Sequence, residues 1–124
     1  MTDQSPPAKL GLTDTELAAH PTAFAGDAFK DQVIIVSGGA GGIGRAISWL
    51  FARLGAHVAV VGRDQGRLDT LVNQLAGRGL KASAHPADIR EPEAVSAAFD
   101  AIWAAQGRVD GLVNSAGGQF PQAA

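Results

Sequence analysis

Val33-Ile34-Ile35-Val36-Ser37-Gly38-Gly39-Ala40-Gly41-Gly42-Ile43-Gly44 is the stretch on which the reading of this chain turns. Its first five residues read as a strand. Val33 to Val36 are apolar without alternation, as expected of a strand covered on both faces of a parallel sheet. The next seven read as a glycine-rich turn, whose missing Cβ atoms let the backbone bend sharply and lie close to a ligand. A helix pattern begins at once: Ile43, Ile47, Leu50, Phe51 and Leu54 recur on one face. The free amides and positive dipole end of such a helix point back at the turn, an arrangement that binds phosphate. The expected ligand is a dinucleotide, its pyrophosphate held by Ser37, Gly38, Ala40, Gly41, Gly42, Ile43 and Gly44. Arg45-Ala46 stand where a Walker loop needs Lys followed by Ser or Thr, which argues against that alternative.

Working outward, residues 1–26 carry Pro6, Pro7 and Pro21 and no sustained core pattern. They read as a flexible leader, partly disordered or draped over a domain that occupies residues 27–124. Phe24 and Phe29 are the expected anchors near the first strand. Downstream, Gly55 sits where a helix C-terminal cap belongs. His57 to Gly62 reads as a second strand, parallel to the first because a helix crosses between them. Asp64 is placed to cap the N-terminus of a helix carrying Leu68, Leu71, Val72 and Leu75. Leu80 to Pro86 reads as a short third strand. Pro92 and Glu93 open a third helix, with Val95, Ala98, Phe99, Ile102 and Trp103 on its apolar face. Val109 to Asn114 is the fourth strand.

The resulting β-α-β-α-β-α-β order is α/β, the N-terminal part of a doubly wound parallel sheet of Rossmann type. Right-handed crossovers give the strand order 3-2-1-4. Ligands bind where that order reverses, outside the C-terminal ends of strands one and four. The glycine turn and Asn114 to Gly118 both fall there.

Composition narrows the classes. The chain has 124 residues, enough for one modest domain, and is 46% hydrophobic, enough for a core. A net charge of −2 gives no basic surface for nucleic acid. Cysteine is absent, so thiolate chemistry and disulfides are excluded. His20, His57 and His85 lack metal-ligand spacing. No apolar run approaches the ~20 residues a membrane span requires, and the N-terminus lacks a signal-peptide pattern; the cytoplasm is the expected compartment.

The choice of dinucleotide rests on the end of the second strand. NAD-preferring sites of this geometry place an acid there to hold the ribose hydroxyls. Here Gly62 and then Arg63 follow, and a guanidinium suits a 2′-phosphate. NADP(H) is therefore expected over NAD(H), with Arg63 as a solvated loop residue the alternative. Asp64 competes for the ribose role but falls beyond the strand end. Asp88 and Ile89 fit an adenine pocket, the carboxylate accepting from the amino group and the branched side chain packing on the ring. The competing reading is that Asp88 caps a loop.

At these residues the chain resembles the short-chain dehydrogenase/reductase family. Ser37-Gly38-Gly39-Ala40-Gly41-Gly42-Ile43-Gly44 matches that family's Thr-Gly-x-x-x-Gly-x-Gly with Ser for Thr. Asp88-Ile89 matches its Asp-Val or Asp-Ile pair, and Asn114-Ser115-Ala116-Gly117 its Asn-Asn-Ala-Gly, with Ser115 for the second Asn. The resemblance implies cofactor contacts at Asn114, Ala116 and Gly117. Arg90 and the Gly-Gly-Gln-Phe ending in Phe120 are similar to the branch that reduces enoyl-CoA and dienoyl-CoA thioesters, which implies that Arg90 and Phe120 lie near an acyl-CoA substrate. A sugar-nucleotide or steroid substrate is the alternative on the same fold.

Most of the family uses a Ser and a Tyr-x-x-x-Lys motif for proton chemistry, later in the chain. This sequence has no tyrosine. It is therefore read as the cofactor-binding half of a longer, homo-oligomeric oxidoreductase, inactive alone and with no catalytic residue of its own. The alternative is a non-catalytic dinucleotide-binding module.

Overall fold

The computed structural model describes residues 11–116. The elements run α1 (Asp14–Ala19), β1 (Val33–Ser37), α2 (Gly42–Arg53), β2 (His57–Gly62), α3 (Gln65–Ala76), β3 (Lys81–Pro86), α4 (Pro92–Gln106) and β4 (Gly111–Asn114). All four strands are parallel, in the order β3-β2-β1-β4. The sheet is the one expected from the sequence.

Alternating residues of β1 and β2 feed two separate cores, which is why β1 is buried at every position. Ile34, Val36, Val58 and Val60 pack with Trp49 of α2 and Leu68, Leu71 and Leu75 of α3. Val33, Ile35, Ala59 and Val61 face the opposite layer, with Ala98 and Ile102 of α4. Two helix ends carry caps that the sequence provides. Gly107 caps α4 in the left-handed conformation, φ 72°. Asp64 caps α3, its carboxylate accepting the Arg67 amide.

Register brings the decisive C-terminal ends level. Ser37 lies beside both Val61 and Asn114, and Gly62 beside Pro86. At the other end Asp110 accepts the Val33 amide at 2.8 Å while Arg108 grips its carboxylate.

Three apolar side chains expected in the core are largely exposed: Phe24 at 58%, Ile43 at 76% and Trp103 at 59%. Phe29 does anchor, edge-on to Phe51 with centroids 4.9 Å apart. Phe24 stands on a segment of which every residue from Pro21 to Ala28 is exposed. Ile43 belongs to the first turn of α2, where the helix has not yet reached the sheet. Trp103 follows fully buried Ile102 and is turned ~100° round the helix from it.

Ahead of the sheet, α1 is docked on α2. Thr13 and Glu16 form a capping box at its start. Asp14 accepts the Trp49 indole N–H at 2.6 Å and pairs with Arg45 at 3.1 Å. Arg45 and Arg53 also donate to the Leu12 and Leu17 carbonyls.

Candidate functional site

The turn after β1 is built from close approaches that only glycine permits. A Cβ on Gly38, whose φ is +77°, would lie 2.6 Å from the Ala116 amide nitrogen. One on Gly44 would run into the Gly38 carbonyl oxygen and lie 2.5 Å from Ser115 Oγ. Gly39 is equally confined, by Val60 and Ser48. Ser48, fully buried, ties turn to helix: its hydroxyl reaches the Gly44 carbonyl at 2.8 Å and that of Gly39 at 3.1 Å.

Gly41 and Gly42 are different. Both are exposed, and a Cβ on Gly42 would meet nothing within 4 Å. They open α2, whose N-terminus has no side-chain cap and no acid in its first turn. The helices α1 and α3 are capped by the side chains of Thr13 and Asp64, and α4, also without a side-chain cap, carries Pro92 and Glu93 in its first turn. The α2 amides and dipole are thus left to an external anion.

Above this turn lies a cavity of about 550 Å³, within the range of small-molecule sites. Its floor is Gly38, Ala40 and Gly41. Gly62, Arg63, Asp64, Arg67 and Leu68 form the wall beyond β2. Ala87, Asp88, Ile89 and Arg90 form the wall beyond β3, and Ser115 and Ala116 the wall beyond β4. The β3 wall is tied in place by the Ala87 amide, which donates to the Gly62 carbonyl at 2.8 Å.

Of the residues expected from sequence, Gly38, Ala40, Gly41, Arg63, Asp88, Ile89, Arg90 and Ala116 line the cavity. Ser37 lies beneath it, its carbonyl accepting both the amide and the hydroxyl of Ser115, at 2.9 and 2.8 Å. Gly44 supports the turn from behind. Gly42 and Ile43 stand exposed in the first turn of α2, and Asn114 is exposed at the end of β4. Gly117 and Phe120 lie outside the described residues.

Sequence reasoning missed Arg67 and Ser115. Arg67 is the third helical residue after the Asp64 cap, a position that always comes back alongside the cap, and this was the available signal. Ser115 stands where the motif has its second Asn, and its hydroxyl closes the turn.

Asp88 carries the strongest electrostatic perturbation. The Arg90 side chain bonded to it, and then the Arg90 amide, hold its carboxyl down to about 2. Arg63 adds a smaller contribution of the same sign. The loop-cap reading of Asp88 and its place in the cavity wall are both observed: Oδ1 accepts the Arg90 amide at 2.9 Å.

A model of the short chain dehydrogenase family matches residues 32–124. The chain belongs to that family. Among relatives of this chain is a peroxisomal 2,4-dienoyl-CoA reductase, (3E)-enoyl-CoA-producing, from Pongo abelii. It is 36% identical over 118 residues, which cover 94% of this chain and 40% of the relative. The solved citronellol catabolism dehydrogenase of Pseudomonas aeruginosa PAO1 superposes with a TM-score of 0.73 at 41% identity, covering 75% of this chain and 39% of that one. A metagenomic short-chain oxidoreductase solved in complex with NADP gives a TM-score of 0.69 at 36% identity, covering 72% and 40%. The chain spans 34–40% of the length of the first relatives it matches.

A short-chain dehydrogenase binds a nicotinamide dinucleotide, and the residues present fit one. The uncapped α2 terminus above side-chain-free glycines suits a pyrophosphate, and the flanking walls supply both cations and an acceptor. Among the described residues there is no cluster that would hold a metal ion. No helix among them is long and apolar enough to cross a membrane.

Proposed function

We propose that this chain binds NADP(H) in the crevice and serves an oxidoreductase acting on an enoyl-CoA or dienoyl-CoA thioester, or on a carbonyl or alcohol. The observation that carries the cofactor choice is the pair Arg63 and Arg67 on the cavity wall beyond β2, where Gly62 offers no acid. Asp64, the only carboxylate on that wall among the described residues, caps α3 through Oδ1 and pairs with the Arg67 guanidinium through Oδ2 at 3.8 Å. Two guanidinium groups at the ribose end favour a 2′-phosphate over a free hydroxyl.

The remaining walls divide the rest of the dinucleotide. The α2 terminus takes the pyrophosphate. Asp88 accepts from the adenine amino group, with Ile89 against the ring. Ala116 lines the remaining wall, and the family resemblance assigns it, with Asn114 and Gly117, to the ribose and nicotinamide end. When bound, the cofactor supplies the hydride; this chain's residues hold and orient it. The acyl-CoA reading draws on the Pongo abelii relative's name, with Arg90 and Phe120 as the substrate contacts. The whole protein is proposed to be a homo-oligomer of the cytoplasm.

The test is a pair of dissociation constants. Arg63→Ala should weaken NADPH about tenfold or more while leaving NADH nearly unchanged. Equal losses for both would remove the preference. Binding retained without any hydride transfer in the whole protein would favour a non-catalytic dinucleotide-binding module.

A further inference from the structure

Asp88 sits in the cavity wall with its side chain 24% exposed, and Arg90 lies over it on the solvent side at 74%. The two are only two residues apart, yet they make four contacts. Oδ1 accepts the Arg90 amide at 2.9 Å and Nε at 3.1 Å; Oδ2 accepts Nη2 at 2.7 Å, with Nε shared at 3.2 Å. The Glu91 amide donates to the Asp88 carbonyl at 3.0 Å and closes the turn. A carboxylate offers about four acceptor positions. The Arg90 amide and Nε take both positions on Oδ1 and Nη2 takes one on Oδ2, where Nε reaches only as the longer branch of a shared bond at 3.2 Å.

We propose that Arg90 is a positioning residue for nucleobase recognition: it fixes the Asp88 carboxylate and leaves one acceptor position, matched to a single exocyclic N–H such as adenine presents. This deepens the cofactor reading and rests on it. An isolated carboxylate in this wall would rotate about its own side chain and remain open to several donors. Held edge-on by a planar fork, it has one orientation and one vacancy. The same fork holds the Asp88 carboxyl down to about 2.

The experiment measures dissociation constants of this chain for NADP⁺ and for its counterpart with hypoxanthine in place of adenine, in which the exocyclic amine is an oxo group. The native chain should prefer the adenine form. Arg90→Ala should weaken the adenine form about tenfold and leave the hypoxanthine form unchanged, so that the preference collapses. Arg90→Lys, which keeps the charge but not the fork, should behave like Arg90→Ala. Adding Asp88→Asn to Arg90→Ala should cost no further discrimination. Equal weakening of both forms would make Arg90 a mere loop pin and overturn the proposal, as would full rescue by lysine. If the native chain binds both forms equally well, the positioning role fails while the crevice stands. If it binds neither, the cofactor reading itself fails.

Discussion

Gly44 has no room for a methyl group, because the atom its Cβ would strike is the Gly38 carbonyl oxygen, part of the turn itself. Gly44→Ala should therefore destabilise the fold by about 1–3 kcal/mol, read from urea unfolding. Gly42 makes the opposite test. Its side-chain direction is open, and its φ is +48°. Gly42→Val should leave a folded chain, strained by about 1–3 kcal/mol, that no longer binds dinucleotide, because the new side chain occupies the space above the α2 amides. Calorimetric titration beside an unfolding curve separates the two effects. At this scale the sequence was informative about backbone and poor about side chains. Five glycines around a strand end announce a close-packed turn, and the structure uses Gly38, Gly39 and Gly44 so, while Gly41 and Gly42 stay open. That Gly39 is held by Val60 and Ser48, or that Ser115 bonds back to Ser37, depends on partners brought from other elements. No local pattern encodes those partners.

At the scale of elements, helix α1 and the β2–β3 pair make separate predictions. The dock of α1 on α2 centres on Asp14, which serves the Trp49 indole and the Arg45 guanidinium together. Asp14→Ala should cost about 1–2 kcal/mol and shift Trp49 fluorescence as its indole N–H loses its partner. On β2 and β3, His57 and His85 both bond to Ser83 Oγ, at 2.9 and 2.8 Å. Burial lowers both imidazole pKa values, and for His57 the neighbouring His85 and then Lys81 lower it further. The folded state therefore binds protons less readily than the unfolded chain. Stability from this pair is complete above the unfolded value of about 6.5 and declines as pH falls below it, until the folded pKa values are passed. Urea midpoints measured between pH 7.5 and 5 should fall on acidification, and less so in a His57→Gln, His85→Gln double variant. The strands and long helices were legible because burial on two faces leaves an unbroken apolar run and burial on one leaves a helical period. Helix α1 was not. It has only six residues, and beside Leu17 and Ala18 on the core it docks through polar contacts, so no sustained apolar period is left to read. The exposed Trp103 and Ile43 show the converse limit: periodicity marks a face but not where along the helix that face meets the sheet.

For the whole molecule, the prediction is one of linkage. A ligand that binds only the folded chain stabilises it, by about 2.7 kcal/mol at a hundredfold excess over its dissociation constant. NADPH at that level should raise the melting temperature by roughly 10 °C, and Arg63→Ala should reduce that shift while leaving the NADH shift in place. The order of the sheet and the position of the crevice were readable from one topological argument, handedness of crossover. The composition of the crevice was readable only in part, because Arg67 reaches it by helix geometry rather than by strand order.

The bond from Ser115 Oγ to the Ser37 carbonyl joins residues 78 positions apart. Closing so long a loop costs entropy before the contact gives anything back, and such pairings form slowly. During synthesis the first strand, its turn and the helix after it emerge long before the residue that clasps them. A nascent chain is thus expected to present its nucleotide cradle only after the fourth strand has left the ribosome, and cofactor capture becomes a late event in its biogenesis.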